Sequence, residues 1–122
     1  MTNQVDAYNQ IMIEKKEQVN ELLSEKKHLN AWLDDYHHFT FSTTRLYHHL
    51  ADRYYESDMF SRIEANSDRF QSGQRQVMNE LYHQQSEIDK KIRLINEDIE
   101  DIEKHRHIEI QKEQEGNHTY EH

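Results

Sequence analysis

Apolar residues recur along this chain at alternating steps of three and four. Val5, Tyr8, Met12, Lys15, Val19, Leu22, Lys26, Leu29, Leu33 and Tyr36 keep that rhythm, which is the heptad seam of a helix lying against another helix. Lysine interrupts the seam at two points. Ile11, Ile13 and Leu23 stand beside it and predict a broader stripe, of the kind a helix turns toward a bundle core. Thr2 or Asn3 supplies a helix cap.

A second seam occupies the latter half. Phe60, Ile63, Ser67, Phe70, Gln74, Val77 and Leu81 set it, and Ile88, Ile92, Ile95, Ile99 and Ile102 continue it. From Leu81 to Ile92 the spacing is eleven residues, so the repeat slips once by a hendecad. Glu87, Lys91, Glu97, Asp98, Asp101 and Lys104 fall on the opposite, solvated face. Beyond Ile110 the periodicity ends and Gly116-Asn117 follows, which predicts a frayed tail.

The stretch between the seams is dense in aromatic residues and histidines. Residues 39–44 include a β-branched run that in isolation resembles a strand, but no second strand exists to pair with it. Tyr-His-His occurs at 36–38 and again at 47–49, about three helical turns apart, so the copies share a helix face. Three sites compete for the turn of an antiparallel pair: 39–43, 56–58 and 71–73. The middle one matches two arms of roughly fifty residues, each about 75 Å long at 1.5 Å per residue. Gly73 costs about 1 kcal/mol inside a helix and is otherwise a C-cap or a close helix crossing.

The expected fold is therefore all-α: an elongated, coiled-coil-like antiparallel helical hairpin in one domain, with room for a short third helix. Its arms are residues 3–55 and 59–111, and 112–122 form the tail. Composition supports this. Only 34% of the 122 residues are hydrophobic while 32% are charged, too few apolar groups for a thick core but enough for a narrow stripe. Proline is absent and only two glycines occur, so the low hydrophobicity reads as helix surface rather than disorder.

Charge and missing residue types narrow the function. A net charge of -9 disfavours nucleic acid and anionic membranes. No stretch reaches the ~18 apolar residues of a membrane span. The N-terminus has no basic region followed by an apolar one, which predicts a cytoplasmic protein whose only route of co-export is Sec-independent. Cysteine is absent, and so are a Gly-x-Ser-x-Gly elbow and a glycine-rich phosphate loop. The expectation is a chain that is not an enzyme, with no catalytic residues and no cofactor.

Ten histidines among 24 acidic residues raise a metal reading. Glu25-x-x-His28 and Glu80-x-x-His83 copy an element of di-iron bundles, with similar pairs at Asp34 and His37, Asp35 and His38, and Glu115 and His118. Yet Glu25 and His28 flank the seam, whereas bundle ligands project inward, so no metal site is expected. His37-His38 and His48-His49 are about 16 Å apart along a helix, too far to share an ion. Lys15, Lys26, Gln74 and Gln85 at seam positions leave two readings open: stems lying along apolar surface, or polar layers that fix register.

Trp32, Tyr36, Phe39, Phe41, Tyr47, Tyr54, Tyr55 and Phe60 bring more aromatic surface than a hairpin buries near its turn. They are the candidate partner-binding residues. The competing reading is a small local core closed by the third helix.

In length, in its two heptad arms, aromatic middle and acidic surface, and in lacking Pro and Cys, the chain resembles the small helical partners of LXG toxins in Gram-positive type VII secretion. Those proteins are similar in shape to the Trp-Xaa-Gly helical-hairpin family, although here Trp32 is followed by Leu33 and Asp34. The resemblance covers roughly residues 5–110. It implies an adaptor, or targeting chaperone, that binds the toxin's helical N-terminal export domain, sometimes with a second small helical protein; without a partner, the two seams leave a homodimer open. The superfamily's Tyr-x-x-x-Asp/Glu secretion signal is matched by Tyr54 and Asp58 and approximated by Phe60 and Glu64. The alternative is a self-associating coiled-coil scaffold subunit.

Overall fold

The computed structural model describes residues 3–120, and the side chains of residues 3–116. Two helices, α1 (Asn3–Arg53) and α2 (Phe60–Tyr120), pack against each other as a helical hairpin. Thr2 lies outside the described residues, and Asn3 is already helical. Among the described residues there is no strand and no third helix. The run 39–44 is helical because it sits inside a continuous heptad pattern, and tertiary pairing overrides its local β preference.

The connection spans residues 54–59, around the middle of the three expected turn sites. Tyr54 N–H still donates to Leu50 C=O at 3.0 Å, and the chain then turns as Ser57 N–H donates to Tyr54 C=O at 2.9 Å. Ser57 Oγ accepts from Met59 N–H at 3.1 Å, and Phe60 N–H donates to Ser57 C=O, which starts α2. No described residue has positive φ, so the turn needs no glycine. Gly73 accordingly lies mid-helix with open space where a Cβ would stand, neither a C-cap nor a close crossing.

Where periodicity marks 112–122 as a frayed tail, α2 continues to Tyr120. Gln111-Lys112-Glu113-Gln114-Glu115 are good helix formers, and a helix propagates by its own backbone bonds without an apolar face. Lys112 and Glu109 add an i,i+3 ion pair at 3.6 Å.

The chain divides into two compact units. One joins Met1–Glu25 to Ile88–His122. Within it Val5 and Met12 are buried, Tyr8 stacks on His105 with ring centroids 6.5 Å apart, and Lys15 Nζ lies 3.4 Å from Asp98. The isoleucines from Ile88 to Ile102 are all half-buried. A single partner helix covers only one side of each. Ile11 and Ile13 are exposed here, as is Leu23: the two helices bury chiefly the a and d positions, so at these three residues the expected broadening of the stripe does not occur.

The other unit is Lys26–Glu87, which contains the connection. Leu29, Leu33 and Ile63 form its buried core. Gln85 donates to Asn30 at 2.7 Å and Thr40 donates to Gln74 at 3.1 Å; His37 Nε2 lies 3.1 Å from Tyr82 Oη. Contacts thus descend along α2 as they climb α1, the signature of antiparallel pairing.

A candidate protein-binding face on residues 26–87

Assigning heptad position a to Val5 places Leu33, Thr40 and Tyr47 at a, and Leu29, Tyr36, Thr43 and Leu50 at d. All are buried or half-buried. On α2, Phe60, Ser67, Gln74 and Leu81 take a, while Ile63, Phe70 and Val77 take d. The flanking e and g positions decide how the pair meets solvent.

The two flanks differ. At the e positions Thr44 and Ala51 of α1 and Gln71 and Met78 of α2 are half-buried, so this side is partly closed. At the g positions Trp32, Phe39, Leu46 and Arg53 of α1 and Asn66, Gly73 and Glu80 of α2 are exposed. The open flank carries the large apolar groups: Trp32 is 59% exposed, Phe39 54% and Leu46 55%. With Tyr36 and Leu50 they form a second three-four stripe that shares its d residues with the buried seam. Gly73 projects nothing into the space beside it.

Of the expected contact residues, Trp32, Tyr36 and Phe39 therefore come together. Tyr36 meets Phe39 edge-on with centroids 6.4 Å apart, and Phe39 meets Phe70 at 5.8 Å. Tyr47 points into the seam and packs on Phe70 at 5.9 Å. Phe41, at a b position, is 69% exposed on a different face, above a shallow hollow of about 340 Å³ that also borders Arg45 and His49. Tyr55 is equally exposed in the connection, where it packs edge-on against Phe60 at 5.3 Å. Among the described residues no third helix folds over these rings.

Leu46 is the member of the face that the sequence reading passes over, and the signal was there: Trp32, Phe39 and Leu46 are spaced by seven. Tyr54 and Asp58, the candidate secretion-signal pair, bracket the connection. Tyr54 is half-buried under the Arg53 guanidinium, 5.8 Å from its ring centroid, and Asp58 is exposed.

The remaining polar constellations are local. Glu80 accepts from Gln84 at 3.4 Å, one turn along the helix. A hollow of about 330 Å³ near the connection is bordered by Tyr47, His48, Asp52, Glu64 and Asp68. Among the described residues no group of three or more His, Asp or Glu is placed to hold a metal ion, and no helix is long and apolar enough to cross a membrane.

What fold and face define together is a two-helix hairpin with one flank uncovered. Comparison with known proteins adds nothing to this: no family model, no curated protein and no solved structure matches the chain.

Proposed function

We propose that the chain is a non-enzymatic helical adaptor that binds the helical N-terminal domain of an LXG-type toxin in the cytoplasm and assists its targeting to type VII secretion. The observation that supports this reading is the surplus of exposed apolar surface on residues 26–87. Trp32, Phe39, Phe41, Leu46, Tyr55 and Met59 are all at least half exposed. Scattered apolar groups need no explanation, but aromatic groups at heptad spacing on an otherwise highly charged chain fit the anchors of a helix-in-groove contact. Tyr54 and Asp58, presented at the connection, are the residues a secretion machine would read.

Co-expression with an LXG toxin's N-terminal domain tests the proposal. The pair should co-elute, and the adaptor's thermal transition should rise, by about 2.7 kcal/mol of added stability at a ligand concentration a hundred times the dissociation constant. Failure of the two to co-purify from one cell ends this reading.

A further inference from the structure

We infer that a second copy of this chain covers the open flank, in a twofold dimer whose axis passes beside Phe39. The inference concerns Trp32, Phe39 and Leu46 and needs no toxin partner; because the same three residues also support the adaptor reading, a second copy and the toxin domain are alternative occupants of this flank.

A twofold interface brings a surface against itself, so each feature on one side of the axis must suit the feature on the other. The apolar stripe meets that condition. Phe39 lies seven residues from both Trp32 and Leu46. When two α1 stripes run antiparallel, Phe39 meets its counterpart while Trp32 of each copy meets Leu46 of the other.

The charges meet it too. Toward the connection, the open flank carries Arg53 on α1 and Arg62 and Arg69 on α2, all exposed. Away from the connection it carries Asp35 on α1 and Glu80 and Glu87 on α2, also exposed. At the helical c and g positions of this flank, bases lie on one side of Phe39 and acids on the other; Glu56 and Asp58, exposed in the connection, lie beyond the basic end. The twofold sets each basic end against an acidic end, whereas a parallel arrangement would set like against like. The acids Glu64 and Asp68, near Arg62 and Arg69 in sequence, belong to the e-side surface that borders the hollow beside Tyr47.

Area sets the strength. The exposed parts of the three large side chains amount to on the order of 400 Å² per copy, against about 800 Å² per partner in a standard stable interface. The dimer is consequently weak and depends on concentration.

Sedimentation equilibrium on the full chain, from micromolar to millimolar, should pass from the 15.0 kDa monomer to twice that mass and no further. Arg62→Glu with Arg69→Glu, and separately Glu80→Arg with Glu87→Arg, should each weaken self-association about tenfold or more. Mixed together, the two variants should pair with each other at least as well as the parent chain does with itself. Because the chain has no cysteine, Phe39→Cys should oxidise readily to a disulfide dimer and Phe41→Cys should not. Circular dichroism confirms that each exposed-site variant is still helical. A monomer at all concentrations, growth beyond the dimer, charge variants that associate like the parent, or cross-linking through position 41 in place of 39 would each overturn the proposal. Co-purification with the toxin domain is read separately from self-association, and a toxin domain that docks on the flank should displace the second copy.

Discussion

Gln85 donates a 2.7 Å hydrogen bond to Asn30 across the hairpin, at the point where α2 takes two four-residue steps in succession, Val77 to Leu81 to Gln85. A stutter of this kind rotates the seam. A long flexible amide at that position still reaches its neighbour, where a shorter apolar side chain would leave a gap. The bond is near the surface, so Gln85→Ala should lower unfolding free energy by about 0.5–1 kcal/mol. Asn30→Ala should do the same. Chemical denaturation of both single variants and the double should show that the double loses no more than the larger single, because one shared interaction has been removed. Additive losses would mean that the pair does not interact.

The seam has two classes of apolar position with different energetic consequences. Leu33 is buried at an a position, so Leu33→Ala removes packed methyl groups and should cost about 2–3 kcal/mol. Ile13 is exposed at a b position, and Ile13→Gln should change stability by less than about 0.5 kcal/mol. Urea titration followed by the helical circular dichroism signal compares the two. Equal losses would contradict the burial pattern.

How much of this was legible in the sequence follows from what periodicity encodes. The a and d residues from Val5 to Tyr36 and from Phe60 to Ile102 are all buried or half-buried, because a three-four spacing and a helix face are the same statement. Lys15 and Gln74 illustrate what spacing leaves open. Whether a polar seam residue snorkels or pairs depends on what the other helix presents, and here Asp98 and Thr40 stand opposite them. The connection had no proline or glycine to announce it, and Ser57 reveals its capping role only once α2 has a start. The open flank was legible only in part: Trp32, Phe39 and Leu46 recur every seven residues beside the seam, but spacing does not say which of the two flanks the second helix leaves uncovered. Nothing in the chain names a partner.

Trp32 is the only tryptophan and stands on the open flank with most of its surface exposed. Its emission should be that of a hydrated indole and be quenched efficiently by iodide in dilute solution. Association through the flank should shift it blue and protect it, and Phe41→Ala, on another face, should not alter the concentration at which this happens. Emission that is already blue and unquenchable at nanomolar concentration would show that Trp32 is covered in the isolated chain.

Ten histidines on a chain of net charge -9 make association depend on pH. Residues 26–87 hold seven basic and nine acidic groups together with six of the histidines; the rest of the chain holds most of the acidic excess and the other four. Near pH 7 and above, both the stretch 26–87 and the remainder of the chain are net negative and molecules repel one another. Between about pH 7 and pH 5.5 histidine is the side chain that ordinarily gains charge, and the isoelectric point is near 5.5. With its histidines protonated, the stretch 26–87 turns net positive while the remainder stays net negative, so repulsion gives way to attraction between unlike parts of different molecules. Solubility should fall to a minimum near pH 5.5 and recover on return to pH 7.5, and added salt should blunt the minimum by screening the attraction. Turbidity measured across this range, with and without salt, checks both statements, and a flat profile would show that the histidines do not set the protein's association.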